Sequence, residues 1–183
     1  VNLAMTPAAW LVETHASSPT PTVEFIDGIM RIHLPDPATG YLDIWSLTAP
    51  KVHMLDAYIM EAEVRLASGS VITDNMLVGI NVTIGQHYGA WFQHWHLNTG
   101  NAWRYYGDWT EAVCASAIPI DTNFHTFRLE WDGVYTLRYI LDDVLICTQV
   151  LPTHPALDAS DEATFRIHAS NTPGQEAKVF EIR

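Results

Sequence analysis

Apolar and polar residues alternate along most of this sequence with the period of two that a half-buried strand requires. Across residues 76–84 the apolar positions are Met76, Val78, Ile80, Val82 and Ile84, which leaves Leu77, Gly79, Asn81 and Thr83 on the opposite face. Tyr58, Met60, Ala62, Val64 and Leu66 form an inward set, and Ile59, Glu61, Glu63 and Arg65 then face outward. Ala90 and Phe92 suit a core, which turns Trp91, Gln93 and Trp95 away from it. Phe165 and Ile167 do the same for Thr164, Arg166 and His168. Phe127, Leu129 and Trp131 alternate with Thr126, Arg128 and Glu130.

Turn residues punctuate these runs. Asp27-Gly28, between residues 23–26 and 29–34, predicts a tight hairpin with positive φ at its tip. Pro35 and Pro37 end that hairpin, and residues 41–45 predict another short strand. Asp132-Gly133 separates residues 124–131 from 135–141, Asp142-Asp143 turns the chain into 144–150, and strands at 163–169 and 177–183 finish it. Helical periodicity is confined to a short, weak candidate at 156–162. About a dozen short alternating strands predict an all-β fold of two packed antiparallel sheets. Residues 1–21 read as an N-terminal extended arm, because the stretch 14–21 has the Ser/Thr/Pro composition of a segment that forms no core. Residues 22–183 read as one β-sandwich domain, without internal repeats.

Composition narrows the partners. Hydrophobic residues at 48% and charged residues at 16% mark a folded chain rather than a disordered one, and 183 residues suit one domain. Twenty-one Asp and Glu against 9 Lys and Arg give a formal charge of −12. That argues against nucleic acid or an anionic membrane surface, both of which reward basic patches. No apolar run is long enough to span a bilayer, so membrane insertion is not expected. No signal peptide is visible, and the chain opens on Val1 rather than Met, as it would after removal of a leader. Cys114 and Cys147 fit one disulfide in an oxidising compartment, and fit two buried thiols nearly as well. The expected location is extracellular, secreted or at the cell surface.

Three segments carry a family resemblance. Residues 57–70 (AYIMEAEVRLASGS) are similar to the strand and turn that precede the catalytic strand in laminarinase-like glycoside hydrolases. Residues 124–133 (FHTFRLEWDG) resemble the FH-x-aromatic-x-x-EW strand of those enzymes, and 139–146 (YILDDVLI) their YxxDGxxI hairpin, with Asp143 where Gly is usual. Together they resemble the concanavalin A-like lectin/glucanase superfamily, which implies a jelly roll of two curved sheets over residues 22–183. The hydrolases place an E-x-D-x-x-E strand in the cleft. If that strand corresponds to the run after Gly89, its places hold Trp91, Gln93 and His96, none a carboxylate. The retaining mechanism needs two carboxyls about 5 Å apart, and these positions do not supply them. The family's catalytic residues are therefore not assigned here.

If the four strands bearing these outward positions share the concave sheet, its open face holds Glu61, Glu63, Arg65, Asn81, Trp91, Gln93, Trp95, Arg166 and His168. Aromatic faces stack on pyranose rings, while amides, carboxylates and guanidinium groups hydrogen-bond sugar hydroxyls in pairs. The expectation is a non-catalytic carbohydrate-binding protein with carbohydrate as its partner. The alternative for Trp91 and Trp95 is a minor core covered by loops or a partner chain, and a β-bulge would invert the sorting beyond it. Glu61 and Glu63 have the spacing of an acid/base pair, although Arg65 on the same face makes a salt-bridged ladder the simpler reading.

Two rival functions stay open. One is a polysaccharide-degrading hydrolase or lyase using the same cleft, the lyase with His168 as base and Arg166 neutralising a uronate. The other is a structural or assembly subunit, a homo-oligomer that buries the arm and aromatic patch against neighbouring copies. His94 and His96, with His87, have a spacing that could chelate a transition metal, although inward hydrogen-bonded histidines are commoner. The resemblance also implies a structural calcium ion, for which Asp27 or Asp132 could serve. Asn81-Val82-Thr83 matches a glycosylation pattern in mid-strand and reads as a chance match.

Overall fold

Pairing of the alternating strands produces two antiparallel sheets. The computed structural model describes the backbone of residues 2–15, 19–36, 41–47, 52–53, 56–68, 77–84, 88–94, 102–107, 110–119, 121–134, 136–150, 162–170 and 177–183. Side chains are described for these residues except 41, 52–53, 77–119, 137, 149 and, within 162–170, all but Phe165, Ile167 and Ala169. Sheet A runs β1 (Trp10–His15), β4 (Tyr41–Ser46), β14 (Glu162–Ser170), β7 (Leu77–Ile84), β8 (Tyr88–His94), β9 (Ala102–Gly107) and β10 (Thr110–Pro119), with β5 (Val52–His53) also paired to β14. Sheet B runs β13 (Val144–Val150), β12 (Thr136–Leu141), β11 (His125–Trp131), β6 (Tyr58–Ser68), β15 (Lys178–Ile182), β3 (Ile29–Leu34) and β2 (Thr22–Ile26). Among the described residues no helix is long and apolar enough to cross a membrane. The short helix expected at 156–162 falls outside the described residues, except Glu162, which opens β14.

The inward faces of the two sheets meet in one core. Sheet B contributes Met30, Ile32, Leu66, Phe180 and Ile182, and sheet A Leu42, Ile44, Ile167 and Ala169, all at 0% exposure. Each large aliphatic side chain removed from water in this way stabilises the fold by about 1.5–3 kcal/mol before chain entropy is counted. Trp10 packs edge-on against Phe165, with ring centroids 5.6 Å apart, and its indole N–H donates to the Ala4 carbonyl at 2.9 Å. Residues 10–15, expected in a separate arm, are therefore the edge strand of sheet A, with Ala9 and Trp10 in the core. The Ser/Thr/Pro composition that suggested an arm belongs to residues 16–21. The six residues before it carry a Trp that the core needs.

The turns follow the expected chemistry. Asp27 and Gly28 both take left-handed backbone, with φ of 52° and 78°, as a two-residue hairpin between β2 and β3 demands. The β12–β13 tip does the same with Asp142 and Asp143, at φ of 50° and 62°. Asp is among the few residues other than Gly that tolerate this region. Asp142 gains from being there. Its carboxylate accepts from the Thr126 amide at 2.8 Å and lies 2.6 Å from His125 Nδ1. The other ring nitrogen of His125 is 3.1 Å from Asp121, so a buried imidazole ties the hairpin tip to the segment entering β11. The amide and side chain of Asn123 both donate to Asp121 and, with His125, hold its carboxyl below the usual range.

Cys147 on β13 is disulfide-bonded, and Cys114 on β10 is the one other cysteine in the chain. The bond therefore joins the edge strand of sheet A to the edge strand of sheet B. It closes a loop of roughly 33 residues, for which loss of unfolded-state entropy gives about 3–4 kcal/mol. Reduction, or the double substitution C114S/C147S, should lower the melting temperature by about 10 °C in scanning calorimetry. An unchanged melting temperature would show that the bond contributes nothing to the folded state.

Candidate functional site

The outward face of sheet A is fixed by the residues that alternate with its core. Leu42 and Ile44 on β4, and Phe165, Ile167 and Ala169 on β14, are buried in the core, so Asp43, Trp45, Arg166 and His168 occupy the other face. Register then carries this assignment across the sheet, because directly paired residues share a face. Ile167 pairs with Ile80, which pairs with Phe92, which pairs with Tyr105, and that row belongs to the core side. The row beside it runs Trp45, Arg166, Asn81, Trp91, Tyr106. The next outward row runs Glu13, Asp43, His168, Gly79, Gln93, Arg104. Five of the expected positions, Asn81, Trp91, Gln93, Arg166 and His168, thus fall in two neighbouring rows on one face. Trp95 lies outside the described residues, as do His87 and His96.

Glu61, Glu63 and Arg65 do not join them. Strand parity is as expected, with Tyr58, Ala62, Val64 and Leu66 buried, but β6 pairs with β11 and β15 in sheet B rather than with β7. Alternation along a strand sorts faces and says nothing about which sheet the strand enters, and the chain changes sheets between β6 and β7. The expectation that all four strands share one sheet is corrected by this topology.

On the outward face of sheet B these three side chains lie in a network of ion pairs. Arg65 and Arg31 both bind the carboxylate of Glu181, with Arg31 Nε at 2.9 Å and Arg65 Nε at 2.6 Å. Arg183 Nε donates to Glu63 at 2.5 Å, and the Arg65 and Arg183 guanidinium groups lie 4.5 and 4.1 Å from the centre of the Phe124 ring. Glu61 is 3.6 Å from Arg128, which also reaches Glu130 at 3.3 Å and Asp143 at 3.1 Å. The salt-bridged arrangement of these residues is thus present, between strands rather than along one.

Six further residues of the sheet A face were missed, Tyr106 and Arg104 on β9 and four at the β1–β4 end. Trp45 Nε1 donates to Glu13 Oε2 at 3.1 Å, and His15 Nε2 stands 3.4 Å from Asp43 Oδ2. Asp43 is only 5% exposed although its strand position is outward. The signal was in the alternation of Leu42 and Ile44 with Asp43 and Trp45. It was overlooked because β1, the partner that completes this end of the sheet, had been read as an arm.

Among the described residues no group of three His, Cys, Asp or Glu side chains could hold a metal ion. Asp132, considered for calcium, accepts from the Val134 and Thr136 amides at 2.8 and 2.9 Å and so closes the β11–β12 turn. Asp27 takes part in the β2–β3 turn through its backbone.

No protein-family model matches the chain, and no curated protein is similar to it in sequence. Solved structures do match. A laminarinase from Flavobacterium sp. UMI-01 superposes with a TM-score of 0.69 at 13% identity, over 99% of this chain and 93% of that one. The carbohydrate recognition domain of Emp47p gives 0.65 at 14% identity, over 99% and 88%. The alginate lyase Aly36B, in a complex with an alginate trisaccharide, gives 0.60 at 11% identity, over 87% and 81%. The chain therefore has the concanavalin A-like jelly-roll fold, as its strand motifs led us to expect. Lectins and polysaccharide-active enzymes share that scaffold, so the fold leaves the chemistry to the face.

Glu181 provides a test of the sheet B network. Burial alone would raise its carboxyl, but hydrogen bonds and charge from Arg31 and Arg65 bring it below the ordinary glutamate range. A carboxyl depressed on folding contributes stability above its unfolded value and loses it as pH falls through the folded value. Stability should therefore decline on acidification below about pH 4.5. Glu181→Gln should cost about 2 kcal/mol at neutral pH, a figure kept low because both arginines are 35% exposed. Urea unfolding across pH checks both. In the variant the loss on acidification should be smaller than in the parent.

Proposed function

We propose that this protein is a non-catalytic carbohydrate-binding protein whose ligand lies along the outward face of sheet A. The observation that carries this reading is the register that brings Asn81, Trp91, Gln93, Arg166 and His168 into two adjacent rows. Trp91 and Trp45 are the stacking platforms, and Asn81, Gln93, Arg166 and His168 are the hydrogen-bonding positions around them. Gly79 lies between His168 and Gln93 in its row, so that row has a position without a side chain where a sugar ring can approach the sheet. Likeness of fold to a lectin domain and to polysaccharide-active enzymes supports carbohydrate as the ligand class. The Cys147 disulfide supports an oxidising, extracellular location.

Retention of the wild type on a panel of immobilised polysaccharides, with Trp91→Ala beside it, tests the reading. Binding should weaken about tenfold or more in the variant while its melting temperature holds, since Trp91 is on the face away from the core. Absence of retention on every polysaccharide would sink the proposal.

One observation favours a second reading, a polysaccharide-cleaving enzyme. Glu13 and Asp43 are directly paired across β1 and β4 on the same face. Directly opposed side chains have Cβ atoms about 4.5–5.5 Å apart, within reach of the separation of about 5–5.5 Å that a retaining glycosidase needs. New reducing ends released by the wild type, and lost in both Glu13→Gln and Asp43→Asn, would establish it. Binding without product would exclude it for the polymers tested.

A further inference from the structure

The edge of a sheet offers unpaired backbone N–H and C=O groups to any strand that can lie beside it. Among the described residues the two sheets end in β1 and β10, and in β13 and β2. Three of these edge strands contain an acidic residue, Glu13 on β1, Glu24 on β2 and Glu111 on β10. Charge at such a position discourages pairing with a further strand. β13 (VLICTQV) has no charged residue and no proline.

β13 is also where apolar side chains meet water. Val144 and Leu145 are 55% exposed and Val150 is 68% exposed. Val134, two residues before the Thr136 that pairs with Val150, is exposed as well. Register shows which side of the strand is open. Cys147 pairs with the fully buried Tyr139, so its disulfide leaves β13 on the core side. Thr148 pairs with Arg138, and Arg138 with Glu130, on the outward face of sheet B. A register shift opposite Tyr139 and Ile140 leaves residues 147–150 as the longest regular part of the edge. Held at Cys147 by the disulfide, this part has less freedom to lose when another strand joins it.

We propose that β13 pairs antiparallel with β13 of a second copy, which continues sheet B across a two-fold axis. Such an interface uses the same patch on both copies, so the strand must suit itself. An uncharged strand does so in every register, because no register sets like charges opposite each other. Pairing through β1, β2 or β10 would instead bring a Glu of one copy near the same Glu of the other. Antiparallel orientation also lays the start of one β13 beside the end of its partner. The start follows Asp142-Asp143, and the Asp143 side chain is 87% exposed. The end is flanked by Arg138, whose side chain is 48% exposed. An acidic tip therefore approaches a basic flank twice across the axis, in a chain whose formal charge of −12 otherwise drives copies apart. A seven-residue edge is small for an interface, so the expected form is a reversible dimer with Kd on the order of 10 μM.

Sedimentation velocity of the full, oxidised chain between about 1 and 200 μM tests this, with hydrogen exchange read at both ends of the range. The sedimentation coefficient should rise toward that of a dimer, and the β13 amides should exchange more slowly at the high concentration. Thr148→Lys and Val150→Lys should each weaken the dimer at least about tenfold, with melting temperatures unchanged because both side chains are exposed. Ile26→Lys, the same kind of change on the β2 edge, should leave the dimer intact. A wild type that stays monomeric at the high concentration would overturn the self-pairing and leave a strand of a different protein as the occupant of this edge. A dimer that survives both β13 lysines but is lost in Trp91→Ala would overturn it in favour of a contact through sheet A. Loss of the dimer in Ile26→Lys alone would move the contact to β2.

Discussion

Antiparallel pairing of β14 with β4 on one side and β7 on the other is the constraint on which the rest of this structure depends. Phe165, Ile167 and Ala169 must be buried, and a pleated strand then has no choice about Arg166 and His168. Each hydrogen-bonded neighbour inherits the choice. A slip of one residue between β14 and β7 would send Asn81 into the core and Ile80 into water, so the apolar rows hold the polar rows in place. The chemistry of the outward face is thus a by-product of core packing, positioned at no additional cost in local structure.

The two sheets have taken different electrostatic solutions. On sheet B nearly every described cation meets a carboxylate on a neighbouring strand, and Glu181 is buried because two guanidinium groups cover it. Such a network adds modestly to stability and more to register, since a shifted strand would set like charges opposite each other. Sheet A concentrates its described ion pair at one end, where His15 meets Asp43 and Trp45 meets Glu13. The middle of its outward face combines aromatic, amide and guanidinium positions.

Most of the strands could be read from the sequence because alternation and turn residues are local signals. Asp27-Gly28 and Asp142-Asp143 announced their hairpins, and β3, β6, β7, β11 and β14 showed their inward faces in single-residue steps. Sheet membership could not be read that way. Glu61, Glu63 and Arg65 were sorted to the correct side of β6 and then assigned to the wrong sheet, because the chain crosses from sheet B to sheet A between β6 and β7. β1 was lost for a different reason, a Ser/Thr/Pro stretch that overshadowed the Trp10 anchor before it. β10, with Ala112, Ala115 and Ala117 along it, has too little β-branched or aromatic character to stand out as a strand. Half of the outward face was legible from parity. The half that β1 and β4 supply needed the pairing itself.

Separation of these faces by a packed core bears on how such a protein changes over generations. By register Asn81, Trp91, Gln93 and Arg104 lie on the outward face of sheet A, and the Arg–Glu network lies on the outward face of sheet B, with the packed core between them. Effects at sites so far apart add rather than interact. Lineages can therefore reselect the ligand by altering a few outward residues while the apolar rows and the charged network continue to specify the fold. Solved structures that share the jelly roll at 11–15% identity, and whose names range from a carbohydrate recognition domain to a laminarinase and an alginate lyase, are consistent with that independence.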